Sequence, residues 1–348
     1  MKALLWELNK YGFRLFLASV LAGLGSAAAV AAPPLGYLQS FGGKADSILN
    51  LTWGLLIISI LVVVVMTALV LWAIFRSRSV SDNERGLENI EPSKRSVHIF
   101  GFGLGLTMLI LVGCVAWTMV TLAAIDHSHE KPALTLEITG QQWWWKIRYL
   151  SDQPSQIFTT ANEFHVPVGA PIKIKLRSKD VIHSFWVPAL TGKTDLIPGQ
   201  INTTWLEADK PGVYSGQCAE YCGAQHAHMG LRLIAESADK FEAWRKDQLK
   251  SASEPAASDA KAGLVVFESR CAGCHAVRGT SAGGVYGPDL SHLMTRATLA
   301  DGTIPNKGGY LAGWIADPQH IKPGSRMPRV ALSGEELQAV TAYLRTLR

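Results

Sequence analysis

Two long runs without a charged side chain constrain this chain more than any other feature. Residues 48–75 contain no Asp, Glu, Lys, Arg or His, and residues 97–125 contain only His98. Each run exceeds the roughly 20 apolar residues that cross a hydrocarbon core, so each reads as a membrane span with room to tilt. The connection between them carries Arg76, Arg78, Arg85, Lys94 and Arg95, whereas the second run ends at Asp126, His127, His129 and Glu130. The positive-inside rule then puts the connection in the cytoplasm and everything after residue 126 outside. The expectation is a transmembrane hairpin over residues 45–126, with the C-terminal domains on the outer side. Residues 1–32 have basic residues (Lys2, Lys10, Arg14), an apolar run and small residues ending at Ala31 and Ala32. They read as a signal peptide, with a third membrane helix as the alternative.

The remainder has a different character. A chain of 348 residues with 33 basic and 28 acidic side chains, net +5, has too little charge excess for a nucleic-acid partner. Its 48% hydrophobic and 18% charged composition excludes a disordered protein. Between residues 131 and 236, short alternating runs separated by Pro and Gly (134–138, 143–149, 171–176, 203–207, 213–217 and 231–235) predict an antiparallel sandwich or barrel. Residues 237–262 read as a short helix near 241–249 and then a linker, because SASEPAASDAKA is small and polar. Residues 263–348 read as a separate domain with helical patterns at 264–270, 309–316 and 335–347.

Five cysteines is an odd number, and four form two tight pairs. The first pair lies in Cys218-Ala-Glu220-Tyr-Cys222-Gly-Ala-Gln-His226-Ala-His228-Met229, which puts two thiols, imidazoles and a thioether on one loop between strands. Soft sulfur ligands beside imidazole suit copper, and two thiolates four residues apart can bridge two ions. His183 is the candidate second imidazole, and His228 competes with His226. A structural zinc site is the alternative, although zinc has no use for Met229. Cys114, mid-span, reads as a buried small side chain without a redox role.

With these residues in place, the sequence resembles subunit II of the haem-copper cytochrome oxidases. Cys218, Glu220, Cys222, His226 and Met229 match that family's copper-A motif in full, and the resemblance runs over residues 45–236 through His183 and Lys193-Thr-Asp195-Leu-Ile-Pro198-Gly199. It implies a cupredoxin-like domain whose dinuclear copper A is held by His183, Cys218, Glu220, Cys222, His226 and Met229. It also implies that Glu220 gives its carbonyl to copper and its carboxylate to a magnesium ion shared with the catalytic subunit. Trp143, first of the run Trp143-Trp144-Trp145, would be the electron entry residue. Gln142 to Trp145 is read as the start of a strand, so that Trp143 and Trp145 share a face. Trp144 stands where relatives commonly have Tyr. The second span has no carboxylate of the kind the family places at a proton channel; Glu91 and His98 are the nearest groups, and no proton-uptake residue is assigned.

The second pair is Cys271-Ala-Gly-Cys274-His275, the attachment pattern for c-type haem: two thiols for the vinyl groups and an imidazole for the iron. Tyr286-Gly287-Pro288-Asp289-Leu290 and Lys322-Pro323-Gly324-Ser325-Arg326-Met327-Pro328 resemble the all-α class I cytochrome c fold, which implies Met327 as the second axial ligand. Met294 is expected in the core, and His292 and His320 are the bis-histidine alternatives.

Together the parts resemble subunit II of a caa-type oxidase with a fused cytochrome c domain. The resemblance implies a relay from haem c to copper A and on to the haems of a separate subunit I, where oxygen becomes water. The expected partners are subunit I and other oxidase subunits, the membrane, and a donor such as a cytochrome c or a quinol-cytochrome c reductase. The same relay could serve a copper-A type nitric oxide reductase, and a membrane-anchored copper carrier is the non-enzymatic alternative. A nitrous oxide reductase would need a propeller domain for which too few residues remain. Residues 131–250 carry a net +2 and residues 259–348 a net +3. This fits a tethered donor better than electrostatic steering between the two.

Overall fold

The computed structural model describes residues 35–76, 94–126 and 131–348. The expected signal peptide, Arg78, Arg85, Glu91, His127, His129 and Glu130 lie outside the described residues. Helices α1 (Gly43–Phe75) and α2 (Lys94–Asp126) are each 33 residues long and apolar enough to cross a membrane. Their side chains are almost all exposed in the isolated chain, as lipid-facing surfaces must be. The helices meet where Gly54 faces the Trp117 ring; a Cβ at Gly54 would lie 2.1 Å from it.

The next segment is an all-β sandwich. One sheet has the order β3-β2-β1-β5-β8, formed by β1 (Leu134–Gln141), β2 (Trp144–Tyr149), β3 (Phe158–Ala161), β5 (Ile172–Ser178) and β8 (Asn202–Leu206). The other has the order β4-β10-β9, from β4 (Glu163–Pro167), β9 (Gly212–Gln217) and β10 (Gly230–Glu236). Period-two alternation builds the core: Leu136, Ile138, Trp145, Ile147, Ile172, Ile174 and Leu176 point inward from the first sheet against Phe164, Leu231 and Leu233 from the second. A small pair, β6 (His183–Phe185) and β7 (Thr194–Leu196), closes one end.

The sheets are mixed, which corrects the antiparallel expectation: β1 runs parallel to β5, and β4 runs parallel to β10. Alternation fixes which face of a strand is buried but not the direction of its neighbour. Trp143 is also corrected. It lies in the turn between β1 and β2, after a cis Gln142–Trp143 peptide, and the strand begins at Trp144. Helix α3 (Ala238–Gln248) then packs Phe241 and Trp244 against Tyr149.

The C-terminal domain begins earlier than expected, because α4 (Ser258–Arg270) takes in residues read as linker. Ala, Lys and Asp there suit a helix once tertiary contacts support it. α5 (Gly309–Ala316), α6 (Pro318–Ile321) and α7 (Gly334–Leu344) follow, the last opened by a Ser333/Glu336 capping box. α4 crosses α7 at Gly263, where a Cβ would sit 1.9 Å from the Ala339 carbonyl oxygen. Phe267, Val340, Tyr343 and Leu344 fill the core beside that crossing. Gly263→Ala should therefore force the helices apart and destabilise this domain by about 1–3 kcal/mol. Thermal unfolding followed at the C-terminal domain checks this, and a wild-type transition would contradict so close a crossing.

Candidate copper and haem sites

His183 opens β6 and is fully buried beneath the loop from Cys218 to Met229. Gly140 on β1 makes its space, since a Cβ there would lie 2.9 Å from the imidazole. The loop is tied at both ends: Cys218 N–H donates to the Met229 carbonyl at 3.0 Å, and Ala219 N–H to the Ser184 carbonyl at 3.0 Å. These ties gather the expected donors. Cys218 Sγ lies 3.9 Å from His183 Nδ1, 3.8 Å from Cys222 Sγ and 3.3 Å from the Glu220 carbonyl oxygen. Cys222 Sγ lies 3.6 Å from His226 Nδ1 and 3.8 Å from Met229 Sδ. The two sulfurs stand centrally, with one imidazole on each, so the donor set fits a pair of copper ions. His228 turns away, its Nδ1 2.7 Å from Gln225 Oε1.

Electrostatics favour a thiolate at Cys218 alone. The hydrogen bond with Cys222 holds the Cys218 thiol down at about 4, against burial and with help from His183, and the Cys222 thiol is pushed up in turn. Asp180 orients His183, with Oδ1 2.9 Å from Nε2. Burial pulls the Asp180 carboxyl up, but hydrogen bonds from His183 and from the backbone N–H groups of Gln142 and Val181 outweigh it, so the group sits below its ordinary value. Asp180 was not singled out from the sequence, although an acid three residues before a candidate His ligand is a readable sign of such a partner. The Glu220 carboxylate points to the surface and pairs with Lys193 Nζ at 3.4 Å, so a cation there would have to displace that ammonium.

The second site is a cavity of about 440 Å³ lined by Cys271, Cys274, His275 and Met327 together with Trp143 and Trp144 of the sandwich. Its apolar walls include Leu290, Leu293, Leu311 and Ile315. The residues present fit a covalently attached haem: both thiols, one imidazole and one thioether converge on one apolar cavity. His275 Nδ1 donates to the Pro288 carbonyl at 2.8 Å, which leaves Nε2 as the available ligand atom. Burial lowers the His275 pKa and favours that neutral form. Met294 is half-buried and packs against the domain core, His292 bonds the Arg348 carbonyl, and His320 is exposed; none lines the cavity.

Trp143 joins the two sites. Its indole Nε1 donates to the Cys222 carbonyl at 2.9 Å, while the residue lines the haem cavity and is 8% exposed. Trp145, behind it, donates from Nε1 to the Met229 carbonyl at 3.3 Å.

A β-sandwich with a cluster of soft metal donors, preceded by two helices apolar enough to cross a membrane and joined to a helical domain with a haem-attachment motif, has the make-up of a redox protein. Residues 150–236 match the family described as cytochrome c oxidase subunit II, periplasmic domain, and residues 260–348 match cytochrome c. The cytochrome c oxidase subunit 2 of Bacillus sp. (strain PS3) is 31% identical over 291 residues, 79% of this chain and 80% of that one. That of Bacillus subtilis (strain 168) is 29% identical over 91% of this chain and 92% of its own length. The subunit 2 of Alkalihalophilus pseudofirmus is 42% identical over 215 residues, 61% of each chain. A solved periplasmic domain of subunit II of cytochrome oxidase from Bradyrhizobium japonicum is 33% identical, covering 35% of this chain and 96% of that one, with a TM-score of 0.33. The chain belongs to the cytochrome c oxidase subunit 2 family, in the form that carries a fused cytochrome c domain.

Removing the carboxylate that orients His183 should loosen the metal site without unfolding the sandwich. For Asp180→Ala, copper affinity by competition with a chelator is expected to fall about 10- to 100-fold. An unchanged affinity would show that His183 is held by its packing alone.

Proposed function

We propose that this chain is the electron-entry subunit of a haem-copper terminal oxidase, passing electrons from an external donor to a catalytic subunit I that reduces oxygen to water. In this reading His183, Cys218, Cys222, His226, Met229 and the Glu220 carbonyl would hold copper A, Cys271 and Cys274 would attach haem c covalently, and His275 and Met327 would ligate its iron. When bound, the two groups supply reversible one-electron chemistry, and a His/Met pair raises the haem potential, as suits a donor to copper. The Glu220 carboxylate is assigned to a magnesium ion shared with subunit I, on displacement of Lys193.

The observation that carries the reading is the position of Trp143. Its indole bonds directly to the carbonyl of one copper-loop cysteine and forms part of the wall of the haem cavity. Gly324 stands over the ring, with a Cβ position 3.5 Å from it. A soluble donor therefore meets the haem domain rather than Trp143, and Trp143 acts in transfer between the sites. The buried thiols oppose a copper carrier: Cys218 and Cys222 are 2% and 3% exposed and offer no accessible sulfur for handing on metal. The apolar spans and the basic connection support a plasma membrane location with both extramembrane domains on the outer side.

Two measurements test this reading. In the membrane complex, Cys222→Ser should abolish donor-driven oxygen uptake while leaving the haem of this chain reducible by the donor. Oxygen uptake at the wild-type rate would overturn the reading. Trp143→Phe, with metal and haem content unchanged, should slow electron equilibration between the two sites about tenfold, equivalent to ~1.4 kcal/mol of barrier. Flash reduction of the haem reads that rate, and no change would remove Trp143 from the route.

A further inference from the structure

Lys322, in the loop that leads to Met327, is 1% exposed, although lysine is almost never fully buried without a partner. Its ammonium group donates to the Trp143 carbonyl at 2.6 Å, to the His228 carbonyl at 2.8 Å and to the Asp301 carboxylate. Two of these acceptors belong to the sandwich and one to the haem domain. Asp301 is itself buried and held at φ 60, between Ala300 at φ 48 and Gly302 at φ 87. Non-glycine residues avoid that left-handed region, and such backbone persists only where surrounding contacts enforce it.

The neighbouring residues of the loop reach across the same boundary. Gln225 Nε2 donates to the Pro323 carbonyl at 2.9 Å, and the Arg326 guanidinium lies 3.1 Å from Asp180 Oδ2, the carboxylate that orients His183. The segment 322–326, immediately before the axial candidate Met327, is thus bound at three points to the copper loop and its supporting residues. Only Lys322 is fully enclosed. The Arg326 side chain is 57% exposed, so its ion pair with Asp180 is screened by solvent.

We propose that Lys322 is a positioning residue that locks the Met327 loop onto the copper loop and keeps the haem domain docked with its cavity against Trp143. The lock rests on the relay reading for its purpose, but its geometry does not depend on which enzyme the relay serves. An ammonium that satisfies two backbone carbonyls across the boundary and one carboxylate on its own side has a single docked arrangement in which all three partners are met. Undocking would leave the Trp143 and His228 carbonyls without their donor and the Lys322–Asp301 pair short of two hydrogen bonds. If transfer occurs only from the docked arrangement, its rate follows the docked population.

The test uses the full chain in its membrane complex, comparing wild type, Lys322→Met and Lys322→Arg by two readouts. Hydrogen exchange on residues 222–230 and 319–327 is expected to rise together in Lys322→Met, while β1 and β5 keep their protection and show that the sandwich is folded. Flash reduction of the haem should show equilibration with the copper site slowed about tenfold or more as the docked fraction falls to about a tenth. Lys322→Arg, which keeps the charge, should recover part of both effects. Unchanged protection on both segments in Lys322→Met overturns the lock, whatever the electron-transfer rate does. Wild-type protein in which the two segments are protected but no electron passes between the sites would refute the relay and leave the lock standing.

Discussion

The carbonyl of Cys222 accepts two hydrogen bonds, from the Trp143 indole at 2.9 Å and from the Gln142 amide at 2.8 Å, and much of the molecule depends on that junction. It ties the loop carrying the thiols to the turn between β1 and β2, which forms a wall of the haem cavity. Asp180 extends the same junction: it accepts from the Gln142 N–H at 2.8 Å with one oxygen and orients His183 with the other. The donors of the candidate copper site and the edge of the haem cavity are therefore fixed by one connected set of buried and half-buried polar contacts. Such a set is stable only when its members are satisfied, because an unpaired polar group in this environment costs about 1–3 kcal/mol.

The sandwich is also seated on the two apolar helices rather than hung from them. Lys44, at the start of α1, donates to Thr204 Oγ1 at 2.8 Å, and the Trp205 indole donates to the Ile125 carbonyl at the end of α2 at 3.0 Å. Both spans thus meet the same strand, β8, and Phe41 packs against the sandwich core just before α1 begins. These contacts fix the sandwich, and with it the loop from Cys218 to Met229, relative to the two helices.

Sequence spacing made the local features legible. The two spans follow from the absence of charge over residues 48–75 and 97–125, and Cys218 to Met229 and Cys271 to His275 are compact enough for residue type and interval to identify their chemistry. The features it missed are those made by distant segments. Parallel pairing of β1 with β5 and of β4 with β10 leaves no trace in alternation, because a strand buries the same face whichever way its partner runs. The turn at Trp143 was hidden by three consecutive tryptophans, which read as strand by composition. Lys322 stands in the segment quoted for Met327, but nothing near it in sequence announces that Trp143 and His228 supply its acceptors. The helix starting at Ser258 was obscured by small, polar residues that only packing against α7 makes helical.

The central claim is that two thiolates on one loop hold a pair of coppers beside a haem in the same chain. Its most direct test is the copper-to-haem ratio of the purified complex, corrected for the metals of the catalytic subunit, together with the paramagnetic resonance spectrum of the oxidised chain. The geometry calls for two coppers per covalent haem and an unpaired electron shared over both copper nuclei. One copper with a mononuclear signal, or zinc in its place, would contradict it.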